Sequence, residues 1–265
     1  MSKLETWQIR RLTDPTEIKG FLQRDRSYAT YAIGDLEPGF YERCRWFGAQ
    51  LAGELHSLVL LFEGLDPPAL FMMGDEIGVS LILGTALRPD LAMFTCQDVH
   101  LAALKTHYHL SEIEQMWRMT LSPLDFRPVS IFGAERLGPG CVNELAHLYA
   151  SVRGNAFTPF QLAQGIFYGV RHQGRLVSAA GTHILARKMG VAAVGNVCTY
   201  PEYRGRGFAT CCTSAVCTDL LAMGLEVVLN VAQDNLDANH IYKKLGFRIY
   251  CPFIEGIAVR KRGAH

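Results

Sequence analysis

The sequence predicts a mixed α/β fold: a largely antiparallel sheet flanked by helices, present twice in tandem. Three observations predict it. Short β-branched and aromatic runs follow one another across glycine turns in each half, the mark of antiparallel strands. Longer runs with helical spacing, several stopped by glycine, fall between the later strands. The strand–helix–strand order that closes the second half recurs, more faintly, in the first.

The chain has 265 residues, 49% of them hydrophobic, enough for two domains with substantial cores. Lys and Arg number 26 against 25 Asp and Glu, a net charge of +1. A protein built around nucleic acid carries a strong basic excess, so no such partner is expected. The start, MSKLETWQIRRLTDPTEIKG, has no apolar run after its basic residues and reads as no signal peptide. The apolar windows LHSLVLLFEGL and IGVSLILGTAL are too short to span a bilayer. The expectation is a cytoplasmic protein with no membrane partner. Eight cysteines form no C-x-x-C pair and fit no zinc spacing. They read as reduced, small core residues, with no metal expected.

LSPLDFRPVS, residues 121–130, holds two prolines after a strand-like EIEQMWRMTL. It suggests domains at 1–124 and 125–265. In the second half, CVNELAHLYASV places Val142, Leu145, Leu148 and Tyr149 on one helical face. FTPFQLAQG opens another helix, with Thr158 as N-cap before Pro159. IFYGVRHQGRLVSAAGTHILA reads as two strands around HQGR, and MGVAAVGNVCTY as a third. The helix FATCCTSAVCTDLLAMG stops at Gly224. EVVLNVA is a buried-type strand, DANHIYKKLG a helix ending at Gly246, and FRIYCPFIEGIAV a last strand. In the first half, RCRWFGAQLAGELHSLVLLFEG reads as a strand pair turning near Gly53, and ALFMMGD as another strand. EIGVSLILGTAL, LAMFTC, QDVHLAALKTHY and EQMWRMTL then alternate helix and strand. This half has no glycine–arginine turn before its helix.

TYPEYRGRGFAT, residues 199–210, joins a strand to a helix. Helix N-termini leave four backbone N–H groups unpaired and carry about half a positive charge. Gly205 and Gly207 leave those amides accessible, and Arg204 and Arg206 add charge. The stretch reads as a nest for phosphate or pyrophosphate, or else as an exposed basic turn. It is no Walker loop, lacking Gly-Lys-Ser/Thr, and its spacing fails the Rossmann fingerprint. RG segments that bind RNA are repeated, and this one is single.

Arg204-x-x-Gly207-x-Ala209, after a valine-rich strand and before a helix, resembles the acyl-CoA signature of the GNAT N-acetyltransferase superfamily. A second segment, LNVAQDNLDANHIYKKLGF, is similar to that family's at Asn235, Ala238, Tyr242, Gly246 and Phe247. The resemblance covers about residues 127–255 and looks closest to glycine N-acyltransferase-like proteins. The first half would then be a divergent GNAT-like domain without the cofactor motif.

The resemblance implies an acetyl-CoA-dependent N-acyltransferase with a small-molecule amine acceptor and direct attack on the thioester. It implies that the backbone of Val197, Cys198 and Thr199 pairs with the pantetheine arm of acetyl-CoA. Arg204, Gly205, Arg206, Gly207, Phe208, Ala209 and Thr210 would hold the pyrophosphate. Asn235 would contact the cofactor, and Tyr242 would protonate the leaving thiolate. A thiol near pKa 8.5 and a phenol near 10 make that transfer nearly balanced. Cys198 is a backbone contact in this reading, since direct transfer needs no acyl-enzyme.

Several family members carry a glutamate base where this chain has Asn230. Asparagine takes no proton, so a low-pKa amine, such as the α-amino group of an amino acid, suits the site better than a lysine-like one. The same departure supports an alternative, a CoA-binding sensor or interaction protein without turnover. His172, His183 and His240 read as surface or packed residues, with His183 the first to mutate. Asp35 and Glu37, in YAIGDLEPG, read as a turn, or else as acids facing an acceptor cleft. The sequence names neither the amine nor the oligomeric state.

Overall fold

Ala52–Gly53 (φ 52° and 85°) and Gln173–Gly174 (φ 49° and 80°) take left-handed backbone conformations. Two successive positive φ values are what a two-residue hairpin loop needs, and each pair closes an antiparallel hairpin. The computed structural model describes residues 6–130, 133–151 and 157–262. They fall into two compact units, Met1–Met116 with Cys251–His265, and Trp117–Tyr250.

The first stretch of chain forms β1 (Gln8–Leu12), α1 (Pro15–Leu22), α2 (Thr30–Gly34), β2 (Cys44–Leu51) and β3 (Glu54–Phe62). It continues through β4 (Ala69–Gly74), α3 (Glu76–Thr85), β5 (Leu91–Cys96), α4 (Leu101–His107) and β6 (Tyr108–Leu121). The second stretch forms β7 (Ala134–Arg136), α5 (Val142–Ala150), α6 (Pro159–Gln164), β8 (Phe167–His172) and β9 (Arg175–Ala186). It ends with β10 (Val191–Thr199), α7 (Phe208–Ala222), β11 (Glu226–Ala232), α8 (Leu236–Leu245) and β12 (Arg248–Arg260).

In the first unit the strand order is β1-β2-β3-β4-β5-β12. The pairs are antiparallel except β4 with β5. Val59, Met72, Val79, Ile82, Phe94 and Leu104 form its core. The last strand joins this unit by pairing Ile254↔Cys96 through Val259↔Leu91. Ile254 and Ala258 are buried in the same core. The units therefore differ from a division at 124/125, because residues from Cys251 onward lie with the first. The elements β1, α1 and α2 were not foreseen in the sequence.

In the second unit the order is β6-β11-β10-β9-β8-β7. β7, β8, β9 and β10 pair antiparallel, and β10 pairs parallel with β11. The helices and strands follow the order expected from sequence, with β7 added; Val152, at the end of the expected first helix, lies outside the described residues. Thr158 caps α6 through a reciprocal capping box with Gln161, and Pro159 occupies its first turn.

Two clusters make the core of this unit. One joins α7 and α8 to the sheet through Cys212, Val216, Leu220, Val194, Leu229 and Leu245. The other joins α5 and α6 through Leu145, Leu148, Tyr149, Leu162, Phe167 and Ala179. Every residue of α7 from Thr210 to Cys217 is buried. Its small side chains, TCCTSAVC, let the helix lie close to the sheet. Burial pushes the Cys212 thiol up to about 12, so these cysteines behave as small apolar residues.

Candidate active site

The parallel ladder between β10 and β11 runs from Val191↔Glu226 to Val194↔Leu229 and stops there. Both strands continue, to Thr199 and Ala232, without pairing to each other. The cause lies in β10. Gly195 pairs with Gly181 and Cys198 with Ala179, so β10 holds one residue more than β9 over this span. The extra residue makes a bulge, and Asn196 takes φ 51° within it. A bulge bends its strand and sharpens local twist, which turns β10 away from β11. Val197, Cys198 and Thr199 lie on the diverging arm, and Asn230 is the first β11 residue beyond the last pair.

Past Thr199 the chain makes a single turn of 3-10 helix at Pro201–Tyr203 and arrives at α7. Gly205 and Gly207 have φ 74° and 79°, and a Cβ at either would meet no atom within 4 Å. Backbone conformation, rather than crowding, requires glycine here. Gly207 is the N-cap of α7 and supplies no side-chain acceptor. The amides of the first turn, Phe208, Ala209 and Thr210, are left to solvent or a ligand. Arg204 Nε donates to Thr199 O at 3.4 Å, and Arg206 donates to Glu202 O at 3.3 Å. Both arginines remain exposed, and Arg206 also lies over the Tyr203 ring at 5.1 Å. The arrangement suits an anionic, phosphate-bearing group, through open amides first and exposed guanidinium charge second.

Asn235 caps α8, and its Oδ1 accepts from Ala238 N–H at 3.1 Å. That bond gives it a local structural role at the place where the resemblance implied a cofactor contact. Asn239, unremarked in the sequence, is buried and ties α8 to the end of β11. Its Nδ2 donates to Ala232 O at 2.9 Å and to Asn235 O at 2.8 Å. Tyr242, one turn further on, is 7% exposed and meets the Phe247 ring edge-on at 5.9 Å. Asn235, Asn239 and Tyr242 thus follow β11 along one helix.

Cys198 donates its thiol to Leu148 O at 3.7 Å, and burial pushes it up to about 11. It stays protonated near neutral pH and is no nucleophile. The Cys198 carbonyl accepts from the Ser178 hydroxyl, 3.1 Å away. The His172 ring lies 5.4 Å from that of Tyr203, tilted by 58°, and His240 is exposed on α8. Asp35 lies in the first unit at the C-terminus of α2, buried, its carboxyl pushed up to about 7 by desolvation. A cavity of about 300 Å³ opens in the second unit, lined by Glu144, His147, Arg175, Leu176 and Tyr200. Arg175 covers the Tyr200 ring there at 4.1 Å. Among the described residues, no group of three His, Cys, Asp or Glu side chains could hold a metal ion. No helix among them is long and apolar enough to cross a membrane.

The comparisons with known proteins bear on the fold. Residues 167–253 match a family model described as FR47-like protein. A GNAT-family protein from Novosphingobium aromaticivorans is similar in structure, with TM-score 0.60, 20% identity, and 94% of this chain and all of that one covered. A tandem GNAT protein from the clavulanic acid biosynthesis pathway gives TM-score 0.60 at 15% identity, covering 98% of this chain and 100% of that one. The fold is that of the GNAT acetyltransferases. A Drosophila protein gives TM-score 0.70 at 12% identity over 95% of this chain and 98% of that one. None of these names points to glycine N-acyltransferases in particular. No curated protein matches the sequence.

Proposed function

We propose that the second unit is an acyl-CoA-dependent N-acyltransferase acting on the amine of a small molecule. The observation that carries this reading is the end of the β10–β11 ladder at Val194↔Leu229, followed by an uncapped α7. A diverging strand pair leaves a row of backbone groups for an extended, amide-containing arm. The open helix N-terminus beyond it suits the pyrophosphate at the far end of acetyl-CoA. In this reading Val197, Cys198 and Thr199 lie along the arm, and Arg204 to Thr210 hold the phosphates. Polarisation of the thioester carbonyl falls to backbone N–H groups of the same arm. Tyr242 serves as the acid for the leaving thiolate. The narrower likeness to glycine N-acyltransferases rests on the two quoted sequence segments alone.

The first experiment is calorimetric titration with CoA, followed by thiol release from acetyl-CoA over amino acids, polyamines, aminoglycosides and peptides. Binding with turnover of at least one amine supports the proposal. Binding without turnover of any amine favours the alternative, a CoA-binding sensor, for which Asn230 in place of an acidic base is the motivating feature. No binding removes both.

A further inference from the structure

Transfer of an acyl group to an amine releases one proton, and Asn230 cannot take it. The bulge in β10 brings together side chains that bear on this. The ring of His183, on β9, lies over Gly195: a Cβ on that residue would meet ring atoms at 2.5 Å. Glycine therefore makes the room the imidazole occupies. His183 Nε2 is 3.3 Å from Asn196 Oδ1 and 3.3 Å from the Asn196 backbone nitrogen. Bare Nε2 accepts from the backbone N–H, and protonated Nε2 donates to Oδ1. Asn196 thus offers a partner to either protonation state of this atom.

Asn196 is itself held in place. Its carbonyl accepts from the Tyr149 hydroxyl at 2.7 Å, and its Nδ2 donates to Gln161 Oε1 at 3.4 Å. Gln161 Oε1 also accepts from Thr158 N–H, closing the α6 capping box. Helices α5 and α6 therefore fix the bulge, and through it the imidazole. The Tyr149 phenol and the neighbouring Cys198 thiol are both raised by burial and stay neutral. The sequence of α6, PFQLAQ, has no charged residue. His183 is half-buried, and desolvation holds its imidazole below the ordinary histidine value. The ring is thus neutral, and able to accept a proton, at physiological pH.

We infer that His183, positioned by Asn196 at the β10 bulge, is the proton acceptor for the attacking amine. The inference rests on the acyltransferase reading of the same site. The bond from amine nitrogen to thioester carbonyl carbon forms, and the carbon–sulfur bond breaks. The amine's proton passes to the imidazole, whose Nε2–H then donates to Asn196 Oδ1. The thiolate takes the Tyr242 hydroxyl proton and leaves as CoA thiol, and the imidazolium's proton returns to the Tyr242 phenolate through solvent.

The test compares the full chain with His183→Gln, Asn196→Asp and, as a control, the exposed His109→Gln of the first unit. Calorimetry measures acetyl-CoA affinity. Thiol release with the best acceptor among glycine, spermidine, kanamycin and a short peptide gives kcat/KM against pH. In the wild type the acid limb lies below pH 6.5. His183→Gln keeps acetyl-CoA affinity, loses that limb and loses about 100-fold in kcat, while His109→Gln is unchanged. Asn196→Asp sets a carboxylate beside the ring and moves the limb up by about one pH unit. Should His183→Gln fail to fold, the limb in Asn196→Asp decides. An unmoved limb in Asn196→Asp, or His183→Gln activity within about threefold of wild type, overturns the inference alone. A wild type that binds acetyl-CoA yet releases thiol with no acceptor overturns the acyltransferase reading, and this inference with it.

Discussion

Two helices occupy corresponding places in the two units and end differently. Helix α3 links the parallel strands β4 and β5, and α7 links the parallel strands β10 and β11. At α3 the N-cap is Asp75, whose carboxylate accepts from Ile77 N–H at 2.8 Å and Gly78 N–H at 3.4 Å. Glu76 adds a second negative charge in that first turn. At α7 the N-cap is Gly207, with no side-chain acceptor and no acid in the first turn. The first helix carries its own anion, and the second leaves the same amides open. The same supersecondary unit thus either completes its helix end internally or leaves it as a binding site. One residue at the N-cap makes most of the difference.

Exchanging that residue should make α7 behave like α3. Gly207→Asp places a carboxylate where phosphate would sit, at a positive φ that aspartate tolerates better than most residues. Like charge at close range costs several kcal/mol, so CoA affinity should fall by about 1,000-fold in calorimetry. Tyr242→Phe removes the proposed acid and leaves the amides alone. It should lower kcat about 100-fold in thiol release, with acetyl-CoA affinity unchanged. A variant that keeps full kcat would remove Tyr242 from the chemistry.

Smaller effects belong to the first unit. Asp35 is raised from 3.8 to about 7, so the folded state holds its proton more tightly than the unfolded chain. Its contribution to stability is full below 3.8 and is lost as pH rises through about 7. Asp35→Asn should therefore raise Tm by a few degrees at pH 8 and leave it unchanged at pH 3. The smallest change is expected at the N-cap of α3. Asp75→Ala removes the α3 cap and should cost about 1 kcal/mol in denaturant unfolding, with CoA affinity unaltered.

The sequence made the second unit legible because its elements announce their ends. Gln173–Gly174, Thr158 before Pro159, Gly224 and Gly246 each stand at a turn or cap in the structure. In the first unit the strands and α3 were readable, but β1, α1 and α2 carry few residues each and too short a period to stand out. The attachment of β12 to β5 was not readable at all, since pairing between distant segments leaves no local pattern.

At the site, the glycine turn and the helix after it were legible, because positive φ and an open N-cap require glycine. The bulge had a weaker signal, the Gly195–Asn196 interruption of a valine-rich strand. The roles of Asn196, Tyr149 and Gln161 had none, because each depends on partners 13 to 47 residues away. At Asn235, where the family pattern suggested a ligand contact, the structure adds a further role, the cap on α8 through Oδ1.

Calorimetric titration of CoA into wild type and Gly207→Asp decides whether the open N-terminus of α7 is the cofactor site. One CoA should bind per wild-type chain, although the chain has two similar crossovers, with no measurable binding to Gly207→Asp. Two sites per chain, or undiminished binding to Gly207→Asp, would contradict it.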